Sequence, residues 1–113
     1  MDEDCIFCKI IRGDFKTAFV AESERVVAFN DVSPVAPAHI LVVPKLHITA
    51  LRDLDDLTLG AEMLGLVQNV AELSGLLDTG YRLITNDGEE AGQSVLHLHF
   101  HVLGGRKLAT SMG

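Results

Sequence analysis

The chain has 113 residues, 48% of them hydrophobic but only 5% aromatic, with no tryptophan. Its length makes one domain, spanning 1–113, that buries about two-thirds of the surface its unfolded form exposes. A formal charge of −7 excludes nucleic acid polymers and anionic membranes as partners, and so few aromatic rings make no stacking platform for single strands.

The acidic start Met1-Asp2-Glu3-Asp4 lacks the basic and apolar regions of a secretory signal, and no segment is long enough to span a bilayer; the expected location is cytoplasmic. Cys5 and Cys8 form a C-x-x-C, which in a reducing compartment suits a metal or a redox pair. Ile6 to Arg12 reads as a short helix ended by Gly13, with Ile6, Phe7, Ile10 and Ile11 as its apolar side. Ala18 to Glu22 and Arg25 to Asn30 are strands around the turn Ser23-Glu24. Pro34 and Pro37 make Asp31 to Pro37 a loop, since proline neither donates to a ladder nor continues a helix. His39 to Val43 is an apolar strand closed by Pro44.

From Leu59, apolar residues recur at helical spacing through Met63, Leu66, Val67, Val70 and Leu73, opposite Glu62, Gln68 and Glu72. This is the one long helix, preceded by Asp53, Asp55 and Asp56, where carboxylates favour an N-terminus. Its apolar residues exceed what a single small core should need, and Gly60 and Gly65 permit close approach, so the helix is a candidate dimer face. Tyr81 to Asn86 and Leu96 to Leu103 are the last strands, joined by the glycine-rich, acidic loop Asp87 to Gly92. Strands joined by hairpins, with helices segregated from them, indicate an α+β domain with an antiparallel sheet.

The last strand carries the chemistry. His97, His99 and His101 alternate with Leu96, Leu98, Phe100 and Val102, which puts three imidazoles on one face about 7 Å apart and the apolar residues on the buried one. Groups with an ordinary pKa near 6.5 cannot all be charged cheaply on one face, so some stay neutral, as nucleophiles or as ligands. Gly92-Gln93-Ser94, just upstream, supplies approachable backbone N–H groups and a hydroxyl, which suits a phosphate. A donor-rich loop beside a neutral nucleophile is what nucleotidyl transfer requires. An H-x-H metal site is the rival reading.

The segment resembles the H-x-H-x-H motif of the histidine-triad family, in particular its nucleotide-binding phosphoramidase branch. The resemblance runs through Cys5-Ile6-Phe7-Cys8-Lys9-Ile10-Ile11, Ala28-Phe29-Asn30-Asp31-Val32-Ser33-Pro34, Ala38-His39-Ile40-Leu41-Val42-Val43-Pro44-Lys45 and Asn86-Asp87-Gly88 to Gly104-Gly105; only Arg106 to Gly113 depart from the pattern. It implies an antiparallel sheet of about five strands with one long and one short helix, continuous across a homodimer. It also implies hydrolysis of the P–N bond of purine nucleoside phosphoramidates. His99 is then the nucleophile that forms a nucleotidyl-histidine, His101 a donor to a non-bridging oxygen, and Ser94 the group that protonates the leaving nitrogen.

Asp31 matches the acceptor of the ribose hydroxyls, and Asn86, Gly92 and Gln93 match positions near ribose and phosphate. Ile6, Phe7, Ile10, Phe29, Asn30 and Val32 match positions around base and sugar. The resemblance also implies one structural zinc per chain on Cys5, Cys8, His47 and His97, with His39 supporting the triad from behind. The alternatives are a dinucleoside polyphosphate hydrolase or nucleotidyl transferase using the same histidine, a nucleotide sensor or adaptor, and hydrolysis by zinc-activated water on the triad.

Overall fold

The computed structural model describes residues 4–111. The elements run α1 (Ile6–Arg12), β1 (Ala21–Glu22), β2 (Val26–Asn30), β3 (Ala38–Pro44), α2 (Leu57–Leu73), β4 (Tyr81–Ile84) and β5 (Phe100–Gly104), with a 3-10 turn at Leu51–Asp53. The strands form one antiparallel sheet in the order β1-β2-β3-β5-β4. The α+β expectation therefore holds, with one long helix and one short.

Local chemistry sets the helix ends. The Cys5 thiol caps α1 by accepting from the Cys8 N–H at 3.4 Å, so the C-x-x-C is also the helix start. Gly13, at φ +89°, ends it, with its N–H on the Ile10 carbonyl at 3.0 Å. The long helix begins at Leu57, two residues before the first periodic leucine, because Asp56 is the aspartate that caps it, accepting from the Thr58 N–H at 2.9 Å.

The sheet is covered on both faces. Val26, Ala28, Ile40, Val42, Phe100 and Val102 pack against Leu59, Met63, Leu66, Val67 and Val70 of α2. On the other face Val27, Phe29, Leu41 and Val43 pack against Phe7 and Cys8 of α1. Because β2 and β3 are buried on both sides, their sequences read as continuous apolar runs rather than as alternation. Each fully buried aliphatic side chain contributes about 1.5–3 kcal/mol. Glu62 ties α2 to the β1–β2 turn: its carboxylate accepts from the Ser23 hydroxyl, the Arg25 N–H and the Arg25 guanidinium, which together hold its pKa down to about 2.

Three sequence expectations are corrected. The periodic residues of α2 are not surplus, because all but Leu73 are buried in the chain's own core; the outward apolar residues are Leu57, Leu64 and Leu73. Gly60 lies against Leu54 of the same chain, and Gly65 faces open space. The last strand starts at Phe100, not Leu96: residues 94–99 lie outside the ladder, with Leu98 N–H donating to the Ile48 carbonyl at 2.6 Å, and Leu96 is 62% exposed. Among the described residues, no helix is long and apolar enough to cross a membrane.

Candidate active site

Each histidine of the triad makes a different hydrogen bond, and that bond assigns its ring proton. His99 Nδ1 lies 2.7 Å from the His97 carbonyl oxygen and so donates to it, which leaves the Nε2 lone pair free. The ring is 6% exposed and wedged edge-on against Phe7, with centroids 5.0 Å apart; burial holds its pKa below the ordinary imidazole value. His99 is thus a neutral base with its lone pair unclaimed.

The proton of His101 is fixed from further away. His39 and His101 sit diagonally across the β3–β5 ladder, because His39 pairs with Leu103 and Leu41 with His101. The Val35 N–H donates to His39 Nδ1 at 3.1 Å, so the proton of neutral His39 is on Nε2. That Nε2–H faces His101 Nδ1 at 2.9 Å and Asp31 Oδ2 at 3.4 Å. His101 therefore accepts at Nδ1 and carries its proton on Nε2. Burial, with His99 and His39 adding repulsion, pushes its pKa down to about 4. Asp31, His39 and His101 also lie close enough to hold a cation, but the Val35 N–H leaves His39 no lone pair to offer one.

His99 and His101 open into a cavity of about 280 Å³. Ser94 and Asp31 line it beside them, and Phe7, Ile10, Phe29 and Leu41 give it an apolar floor. Phe7 and Phe29 meet edge to face at 5.7 Å, packed against each other in the cavity wall. Hydrogen-bonding side chains and apolar walls in one cavity suit a ligand with a polar and an apolar part.

His97, fully buried, faces away from that cavity. Its Nε2–H donates to the Pro44 carbonyl at 2.8 Å, and its Nδ1 lies 3.3 Å from Cys5 Sγ and 3.5 Å from Cys8 Sγ. His47 Nδ1 lies 3.3 Å from Cys8 Sγ. The four donor atoms lie within 4.8 Å of one another, and the cysteines are free thiols. Two thiols and two imidazoles, one oriented by a backbone carbonyl, fit a metal ion; four protein ligands make a closed, structural set. Burial lowers the pKa of His97 to about 4 and raises that of the Cys5 thiol.

A match to the HIT domain family covers residues 12–108. The chain belongs to that family. It is 41% identical, over 111 residues, to a protein of Escherichia coli (strain K12) named purine nucleoside phosphoramidase, covering 96% of this chain and 92% of the relative. A histidine triad protein from Clostridium difficile superposes with a TM-score of 0.93 at 44% identity, over 99% of both chains. A HIT family hydrolase from Legionella pneumophila Philadelphia 1 gives 0.90 at 40% identity, over 96% of this chain and 99% of the other.

In this HIT domain, Asp31, Ser94, His99, His101, Ile6, Phe7, Ile10, Phe29, Asn30 and Val32 all line one cavity. Asn86, Gly92 and Gln93 do not line it. The Gln93 side chain instead accepts from the Gly88 N–H at 2.9 Å and donates to the Thr49 and Val95 carbonyls, while the Asn86 amide donates to the Ala91 carbonyl. In this structure these residues brace the loop that presents Ser94. Thr17, Leu41 and Val95 line the cavity without having been singled out in the sequence. Alternation along β3 carries a signal for Leu41, which shares a face with His39; Thr17 lies between elements and carries none.

Proposed function

We propose that this HIT domain protein hydrolyses the P–N bond of purine nucleoside phosphoramidates through a nucleotidyl-histidine on His99. The observation that carries the reading is the tautomer of His99: Nδ1–H is held by the His97 carbonyl, and the free Nε2 belongs to a neutral ring on the cavity wall. In the first step Nε2 attacks the α-phosphorus, and the bond to the leaving nitrogen breaks as the new P–N bond forms. His101 donates its Nε2–H to a non-bridging oxygen, where negative charge builds in the transition state. Ser94 hydrogen-bonds the leaving nitrogen and passes it a proton, so that a neutral amine departs. Water then attacks the same phosphorus as the P–Nε2 bond breaks, its proton returning to the Ser94 oxygen, so that a nucleoside monophosphate is released and both the imidazole and the hydroxyl are restored.

Asp31 accepts the ribose hydroxyls in this reading, and the purine lies against the apolar wall of Phe7, Ile10 and Phe29. Cys5, Cys8, His47 and His97 would hold a zinc ion, which when bound would cross-link α1, the segment after β3 and the start of the triad; every step above is assigned to the chain's own side chains. The 41% identity to a purine nucleoside phosphoramidase supports the substrate class. The acidic chain and free cysteines are in keeping with a cytoplasmic location.

The test is mass spectrometry of protein quenched during turnover of an adenosine phosphoramidate. An adenylyl mass on the peptide bearing His99, lost in His99→Ala along with turnover, is the expected result. Full turnover by His99→Ala would eliminate the mechanism. Assay of dinucleoside polyphosphates alongside separates this activity from the related hydrolases.

A further inference from the structure

The hydrogen-bond chain behind His101 does not end at Val35. The Arg106 guanidinium donates to the Val35 carbonyl at 3.1 Å, so the residue whose N–H fixes His39 is held from its other side by the segment that follows β5. Gly105 makes the same junction by packing. Its φ is +93°, and a Cβ there would stand 2.8 Å from Pro37 Cβ and 3.4 Å from the Ala38 N. Two adjacent residues thus grip the loop between β2 and β3 at two points, one by a hydrogen bond and one by close approach.

We infer that Gly105 and Arg106 form a positioning clasp that sets the tautomer of His101, and hence its ability to donate to substrate. The chain runs from Arg106 to the Val35 carbonyl, from the Val35 N–H to His39 Nδ1, and from His39 Nε2–H to His101 Nδ1. If the loop drifts, His39 loses the donor that reserves its Nδ1 lone pair, and only the Asp31 carboxylate, 3.4 Å from Nε2, still favours the proton there, so the Nδ1–H form gains population. Nε2 of His39 then becomes an acceptor toward His101, whose proton is drawn to Nδ1, and His101 has no N–H left for a phosphoryl oxygen. Neither residue touches the cavity, and the effect passes only through hydrogen bonds. Loss of one such bond biases a tautomer pair by up to roughly tenfold.

The test uses full-length protein labelled with 15N. Two-bond 1H–15N spectra at neutral pH report which ring nitrogen of each histidine carries the proton. Wild type should show His39 and His101 as Nε2–H forms. Arg106→Ala should raise the Nδ1–H population of both and lower kcat for an adenosine phosphoramidate by roughly twofold at an unchanged KM, because a tenfold bias takes a ten-to-one tautomer ratio to about even and the lost donor acts on the transition state. Gly105→Ala should shift both readouts the same way.

Arg82→Ala serves as the control, since Arg82 binds the Ala109 carbonyl at 2.8 Å and so holds the same tail without touching Val35. It should leave tautomers and kcat as in wild type. Wild-type tautomers in Arg106→Ala, or equal shifts in Arg82→Ala, would overturn the clasp. The kinetic arm rests on the proposed phosphoramidase activity and the tautomer arm does not; an inactive wild type would sink the proposed activity while the spectra still decide the clasp.

Discussion

The imidazole of His97 and the imidazole of His99 are joined through one backbone carbonyl: His97 turns its ring toward the thiols of Cys5 and Cys8, while its carbonyl oxygen, 2.7 Å from His99 Nδ1, sets the tautomer of its neighbour. The Cys/His cluster and the candidate nucleophile are therefore mechanically coupled without sharing a ligand. The cluster anchors the residue that orients His99.

Cys8→Ser should still cost stability more than chemistry, because none of Cys5, Cys8, His47 and His97 lines the cavity. Cys8 is fully buried, caps no helix itself, and lies 3.3 Å from His47 and 3.5 Å from His97. Loss of a closed metal set removes folding free energy on the order of several kcal/mol, enough to lower Tm by roughly 10 °C or more. Metal analysis of wild type purified without chelator should find one zinc per chain and the variant little. Equal Tm values for the two proteins would count against the metal reading.

Stability should fall as the solution is acidified through the imidazole range. Burial pushes the pKa of His101 down to about 4 in the folded protein, and once unfolded it binds a proton near the ordinary value of about 6.5. Between those values the unfolded chain holds more protons, so its contribution is complete above 6.5 and is lost as pH falls toward 4. Proton competition for a bound metal has the same sign. Urea midpoints at descending pH should decline over this window, and a constant midpoint would contradict it. The acid limb of kcat/KM should likewise lie below the ordinary imidazole value, since His99 is shifted down as well.

What the sequence disclosed and what it hid have a physical basis. Period-two alternation revealed the faces of residues 98–102, with Leu98, Phe100 and Val102 in the core and His99 and His101 on the cavity. It could not reveal that Leu96 is exposed, because the backbone before Phe100 is paired by single bonds to other segments rather than by a ladder. The apolar periodicity of α2 identified the helix but not its outward face, since a count of hydrophobic residues does not say how large a sheet lies beneath. Asn86 and Gln93 carry ordinary loop chemistry, and only coordinates show their amides spent on backbone carbonyls at Ala91 and Thr49. Arg106 had no signal, because its partner is a backbone oxygen in a distant loop.

A homodimer remains the expected assembly, with a revised surface. Among the described residues β4 is an edge strand, paired on one side only, with β5; it exposes Tyr81 and Leu83, while Leu57, Leu64 and Leu73 face outward from α2. Pairing β4 with its symmetry mate would continue the sheet. Sedimentation at micromolar concentration should give a dimer, and Leu83→Asp should shift it toward monomer. A monomeric wild type would show that these residues serve something else.

Ser94→Ala should slow the reaction in a way that depends on the leaving group. Ser94 is exposed at the mouth of the cavity that holds His99 and His101, on a loop that the Gln93 amide pins to Gly88 and Thr49. That bracing keeps the hydroxyl in place without the serine's own help, so its removal should alter chemistry more than architecture. An amine leaves well only when its nitrogen gains a proton as the P–N bond breaks, and losing one positioned donor costs on the order of a hundredfold. A fluoride leaving group has no such requirement. The ratio of kcat for an adenosine phosphoramidate to that for an adenosine fluoridate should therefore fall sharply in Ser94→Ala, with KM for both nearly unchanged. An equal loss on both substrates would assign Ser94 to phosphate binding instead, and no loss on either would remove it from the mechanism.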